Sequence, residues 1–282
     1  MNLNPHRSVH PIDSSPPARD PRIAAGFGGA LITAIQFLTR VSISSAVPTA
    51  ETLQRSLLFF PLVGMLIGGF TGGLIWLTVS LWPVWLAVIL ALAAELLLTG
   101  ALHEDGLADF CDGFGGGGDR EKVLAILKDS RIGTYGLLGL LFAVALRVGG
   151  LVAVIDEFGE PSWIYWVAAL IASSAIGRWM MVLAMVLVPP VVGRESLAQG
   201  VASGVSWRYF ALSGMGAAPA VMLYVYLMPI RALIGAFLIS VALVILLSLI
   251  RRKLGGITGD CLGCIGYITQ VLWLLSASAR VT

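Results

Sequence analysis

Asp105, Asp109 and Asp112 recur at spacings of four and three residues within TGALHEDGLADFCDGFGGGGDREKVLAILKDSRIGTYG, residues 99–136, which holds seven of the sixteen acidic residues of the chain. On a helix turning about 100° per residue, the three aspartates fall within roughly 60° of one another on a single face. Carboxylates gathered in this way raise each other's pKa unless a cation lies between them. An all-oxygen donor set suits Mg²⁺ or Mn²⁺ rather than zinc.

The run Gly113–Gly118 is expected to break that helix. A short helical pattern, Asp119–Leu127, follows, then the polar cluster Lys128, Asp129, Ser130 and Arg131. Gly133, Thr134, Tyr135 and Gly136 open the next apolar run, and a helix starting there would turn free backbone N–H groups toward an anion. Carboxylates for a metal followed by glycines and cations for phosphate describe a phosphoryl-transfer site. The plainer alternative is a charged loop whose acids balance its bases, but that leaves the matched period of the aspartates unexplained.

RRKLGGITGDCLGC, residues 251–264, repeats the same chemistry on a smaller scale. It offers cations, glycines, Thr258, and Asp260 at the head of a helix, so that Thr258 is a candidate phosphate contact and Asp260 a fourth carboxylate. Other patterns fail. His103-Glu104 lacks the second histidine of H-E-x-x-H, and Gly115–Gly118 lacks the G-K-[ST] ending of a P-loop. Cys111, Cys261 and Cys264 give no disulfide framework, and the single C-x-x-C lacks two further zinc ligands.

The elements that must hold these residues are membrane helices. Mean hydropathy is +0.90 and 12% of residues are charged, against about 25% in soluble domains, so the chain reads as an all-α, polytopic helix bundle embedded in a lipid bilayer. A net charge of +2 with dispersed basic residues argues against a nucleic-acid partner. Residues 1–25 read as a disordered cytoplasmic tail with no secretory signal, and 26–282 as one transmembrane catalytic domain. Residues 26–42 suit a short interfacial or re-entrant helix. Ser56–Trp82, Val84–Leu102, Thr134–Ile155, Trp163–Val188, Tyr209–Met228, Ala232–Ile250 and Leu262–Ser278 each approach or exceed the roughly 20 residues of a crossing, about seven in all.

With the N-terminus inside, Arg7, Arg19, Arg22, Arg40, Arg55, Arg120, Lys122, Lys128, Arg131, Arg194, Arg208, Arg251, Arg252 and Lys253 all fall on the cytoplasmic side. Arg231, Arg280 and the acidic loop Asp156–Glu160 fall outside, so segment 99–136 faces the cytoplasm. Glu95, Arg147 and Arg178 lie within apolar runs and must find partners there. Glu95 precedes Asp105 by about 15 Å along one continuous helix, within roughly 40° of the Asp109 direction, which would extend the acidic face toward a pairing with Arg178.

LHEDGLADFCDGFGGG at 102–117, KDSRIGTYG at 128–136 and GGITGDCLG at 255–263 closely resemble the cobalamin-5′-phosphate synthase family, also called adenosylcobinamide-GDP ribazoletransferases. RSLLFFPLVGMLIGG at 55–69 and QFLTR at 36–40 resemble it too, and the likeness spans roughly 26–280. The resemblance implies a multi-pass enzyme of the bacterial inner membrane, requiring Mg²⁺, with its active site facing the cytoplasm. It implies joining α-ribazole, or its 5′-phosphate, to adenosylcobinamide-GDP with release of GMP, the last step of nucleotide-loop assembly, in a homo-oligomer or a complex with other cobalamin-assembly enzymes. Carried onto these positions, Asp105, Asp109 and Asp112 hold the metal, and Glu104 or Asp109 takes the hydroxyl proton. Lys128, Asp129, Ser130, Arg131, Gly133, Thr134, Thr258 and Asp260 contact substrate or phosphate, and Arg178, outside these motifs, is a further candidate phosphate contact whose alternative is a structural ion pair with Glu95.

Two rivals are weaker. A CDP-alcohol phosphotransferase acting on lipid carries D-G-x-x-A-R, whereas Asp105-Gly106-Leu107-Ala108 runs on into Asp109. A transporter relaying through Glu95, Arg147 and Arg178 leaves the 103–136 cluster without a purpose and shows no inverted repeat in its hydropathy.

Overall fold

The computed structural model describes residues 26–191 and 204–281. The tail 1–25 and Arg194 lie outside the described residues. Among those described, the protein is helical throughout, and its extended pairing is one isolated bridge between Pro190 and Ile257. The helices are α1 (Phe27–Leu38), α2 (Ala50–Ser56), α3 (Phe60–Thr78), α4 (Val84–Thr99), α5 (Leu102–Gly116), α6 (Arg120–Ile126), α7 (Thr134–Phe158), α8 (Trp163–Leu187), α9 (Trp207–Leu227), α10 (Pro229–Leu254) and α11 (Gly259–Ala277). Among the described residues six helical stretches are long and apolar enough to cross a membrane, and α4 with α5 makes a seventh if the bent pair is one span. α1 is apolar but shorter than a crossing, in keeping with the short helix expected there.

The bundle is built on α8 and α11, the most buried of the candidate spans. α3 packs on α8 through its small residues: a Cβ at Gly68 would fall 2.8 Å from the Ile171 Cα and 2.9 Å from the Leu170 carbonyl oxygen. Close backbone approach of this kind is what glycine supplies between membrane helices, where lipid removes most of the hydrophobic drive for association. The outer faces of α7, α9 and α10 keep large apolar side chains such as Phe142, Met222 and Phe237 exposed, as a lipid-facing surface requires.

One expectation is corrected here. α4 and α5 are not one continuous helix. Gly100 (φ +69°) and Ala101 (φ +59°) are both left-handed, and the axis turns by 89° between them. Glu95 therefore does not continue the Asp105 face. The glycine run ends α5 as expected, the helix persisting through Gly116 and closing at Gly117. The Lys253 ammonium, projecting from α10, donates to the carbonyls of Phe114 (2.9 Å) and Gly117 (3.0 Å), satisfying the orphaned last-turn acceptors of α5. In return the Arg120 Nε donates to the Leu254 carbonyl at the end of α10 (2.9 Å).

Candidate active site

α5 carries the candidate carboxylates, and its neighbours set how they face. It crosses α11 at two glycines: a Cβ at Gly106 would lie 3.0 Å from the Asp260 carbonyl oxygen and 3.1 Å from the Gly263 Cα. The head of α11 thus abuts α5 one residue from Asp105. Thr258 caps α11, accepting from the Cys261 N–H at 3.3 Å, and its hydroxyl lies 3.3 Å from an Asp260 oxygen. Asp105 is exposed, Asp109 is half-buried one turn on, and Asp260 is half-buried beside them.

Asp112 has a different setting. One of its oxygens accepts the Gly133 N–H at 2.7 Å and the other accepts the Gly136 N–H at 2.8 Å. The anion at the head of α7 is therefore this side chain, which supplies the helix with the cap that Gly133, as N-cap, lacks. Among the described residues no three His, Cys, Asp or Glu side chains come together as a metal-holding cluster. The donor set still suits Mg²⁺, which is commonly held by one or two carboxylates together with substrate phosphates rather than by an all-protein cage. Asp105, Asp109 and Asp260 are oxygen donors of that kind, and each oxygen of Asp112 also accepts a backbone N–H.

The cationic loop lies between α6 and α7. Lys128, Ser130, Arg131, Gly133 and Thr134 are exposed. Arg131 is held by Asp129, its Nε at 2.9 Å and its Nη2 at 2.6 Å from the carboxylate. That charge-assisted pair draws the Asp129 carboxyl down to about 2 and raises Arg131 further.

Below the carboxylate face lies a buried polar layer. Glu95 accepts from Arg147 Nη2 at 2.7 Å and from the Thr71 hydroxyl at 2.7 Å. Arg147 also reaches the Gln270 side-chain oxygen (3.4 Å), lies 3.9 Å from Glu104, and stacks over the Tyr267 ring at 5.4 Å. The expected Glu95–Arg178 pairing is thus replaced by Glu95–Arg147, because the side chain of Arg178 folds back along its own helix. Its Nη1 donates to the Ser174 carbonyl (3.2 Å) and hydroxyl (2.8 Å). Arg178 is 1% exposed and, among the described residues, its Nε has no partner. Neither have His103 Nε2 and Glu104 Oε2 in the first turn of α5. Hydrogen-bonding groups left open this deep are costly unless something arrives to use them.

Several contributors went unassigned in the sequence. Thr71, Tyr267 and Gln270 complete the buried layer, and Arg40, at the end of QFLTR, donates its backbone N–H to the Leu98 carbonyl (2.7 Å) while its side chain covers Gly100. In the sequence Arg40 stands out through QFLTR, a stretch that resembles the family.

The cobalamin-5-phosphate synthase family model matches residues 30–278. An adenosylcobinamide-GDP ribazoletransferase of Bradyrhizobium diazoefficiens is 38% identical over 250 residues, covering 87% of this chain and 92% of the relative. Those of Leptothrix cholodnii (36%, covering 88% and 94%) and Leptospira interrogans (36%, covering 80% and 85%) are similarly close. No solved structure matches. A match over nearly the whole described chain, joined to the carboxylate-bearing α5 and a cationic loop in a helix bundle, places this protein in the cobalamin-5-phosphate synthase family of transferases.

Proposed function

We propose that the protein catalyses Mg²⁺-dependent transfer of the adenosylcobinamide phosphate group from adenosylcobinamide-GDP to α-ribazole or its 5′-phosphate, giving adenosylcobalamin or its 5′-phosphate and GMP. The observation that carries the reading is the close packing of α5 at Gly106 on the head of α11 at Asp260, one residue from Asp105, in a chain whose relatives are named for this transfer. In the reaction, a ribose hydroxyl oxygen bonds to the phosphorus on the cobinamide side, the pyrophosphate P–O bond breaks, and GMP departs with the electron pair.

Asp105 and Asp109, with Asp260, would hold Mg²⁺, which when bound supplies positive charge against the pyrophosphate. Glu104 or Asp109 accepts the hydroxyl proton. Lys128 and Arg131 bind phosphate oxygens, Arg131 exchanging its Asp129 partner for substrate, with Ser130, Thr134 and Thr258 as hydroxyl donors. Arg178 offers a deeper anion contact. Asp112 acts through Gly133 and Gly136, fixing the start of α7 beside the cationic loop.

The Lys/Arg distribution supports a cytoplasmic site in a bacterial inner membrane. Impermeant thiol labelling of intact cells should reach a cysteine placed in Asp156–Glu160 and miss one at Asp119–Lys122, and the reverse pattern would invert the topology. The activity is tested with purified protein in lipid, adenosylcobinamide-GDP, α-ribazole and Mg²⁺. Stoichiometric GMP and a cobalamin product are expected, and production of neither would overturn the assignment.

A further inference from the structure

A cavity of about 340 Å³ lies between α1, the following loop and α2, lined by Ile32, Thr33, Gln36, Phe37, Ala46 and Val47 among others. Its size and mostly apolar wall are those of a small-molecule site. The polar groups in the wall are already committed. The Gln36 side chain clasps the Ser44 backbone from both ends, Nε2 to the carbonyl at 3.0 Å and Oε1 from the N–H at 2.8 Å. The Thr33 hydroxyl donates to the Gly29 carbonyl at 2.8 Å. The clasp fixes the loop against α1, so the cavity is pre-formed and presents little unmet hydrogen-bonding capacity.

The cavity is joined to the carboxylate face by one short stretch. Gln36 and Phe37 lie in the last turn of α1, and Arg40 then fastens to Leu98 and covers Gly100, the turn from which α5 departs toward Asp105. Two ring systems enter the proposed reaction as nucleosides. Guanine carries several donors and acceptors that this wall would leave unpaired, at a cost of a few kcal/mol. The dimethylbenzimidazole of ribazole is bicyclic, largely apolar, and loses little on entering such a wall.

We infer that this cavity is the acceptor subsite and takes the apolar bicyclic base of the ribazole nucleoside, which makes Ile32, Phe37, Ala46 and Val47 determinants of base specificity. The inference rests on the transfer reading above. It places the ribose between the cavity and Asp105, with Arg40 alongside.

Filling and enlarging the cavity test it in opposite directions. Ala46→Leu should raise KM for α-ribazole by about tenfold or more while leaving KM for adenosylcobinamide-GDP within about twofold, the scale on which apolar pockets discriminate added methylenes. Ile32→Ala should shift acceptor preference toward a riboside with a larger fused-ring base, a change that misfolding does not produce. Equilibrium binding of free 5,6-dimethylbenzimidazole to the wild-type protein in detergent gives a readout independent of turnover. Binding by the wild type that Ala46→Leu abolishes, without any transfer activity, would sink the functional reading and leave the subsite standing. Active enzyme whose acceptor KM and base preference ignore both substitutions would overturn the subsite. So would variants that alter only the dependence on added phospholipid, since the cavity would then hold an acyl chain.

Discussion

Asp112 and Gly133 lie twenty-one residues apart in the chain, yet the aspartate on α5 accepts the glycine N–H at 2.7 Å and so sets where α7 begins. A carboxylate expected from the sequence to hold a metal also caps the N-terminus of α7 in the fold. The distinction is measurable. Asp112→Asn would turn an amide group toward Gly133 or Gly136 and strand one buried N–H, at about 1–3 kcal/mol. Lower thermal stability in detergent, with an activity loss that added Mg²⁺ does not recover, is expected. Unchanged stability with full recovery at high Mg²⁺ would make Asp112 a metal ligand after all.

The Glu95–Arg147 pair is buried on both sides, at 2.7 Å. Removing one partner should cost about 3–5 kcal/mol by leaving the other charge uncompensated. The Glu95→Gln, Arg147→Gln double variant should be more stable than the sum of the singles implies. Purely additive losses in thermal unfolding would show that the two do not act as a pair.

Among the described residues Arg178 is braced by Ser174 and its Nε is open. Arg178→Gln should therefore weaken affinity for adenosylcobinamide-GDP far more than it lowers the unfolding temperature, and Glu95→Gln should rescue neither. A loss of stability that matches the loss of affinity would reduce the residue to a structural role.

Asp129 titrates at about 2 because Arg131 holds its charged form. A depressed carboxyl pKa contributes stability that is present above the unfolded value and disappears as pH falls through the folded one. The pair should thus remain intact at pH 4 and open toward pH 2. A carbonyl ¹³C titration of Asp129 with a midpoint near 4 would mean that the pair does not form. In Arg131→Gln the midpoint should return to the ordinary carboxylate range.

Much of this was legible in the chain. The long apolar runs from α3 to α11 fix the spans because a helix crossing hydrocarbon needs that length whatever surrounds it. The turn between α4 and α5 was not legible, since one of its two left-handed residues is Ala101, an alanine that by type favours helix. The choice between Arg147 and Arg178 as partner of Glu95 depends on how α4, α7 and α8 are rotated about their axes, which periodicity within one helix cannot supply. The role of Asp112 was hidden for a related reason. A carboxylate that caps a helix reads in the chain like one that binds a cation, and only the two amides at 2.7 and 2.8 Å show the cap.

The most direct test of the carboxylate site is the rate of GMP release by Asp105→Asn and Asp109→Asn in proteoliposomes, measured across a Mg²⁺ titration beside the wild type. Both variants should insert and unfold like the wild type while turning over about two orders of magnitude more slowly, as expected when a charge that acts on the transferring phosphate is removed. Near-normal turnover in both would contradict a reaction centred on this face of α5.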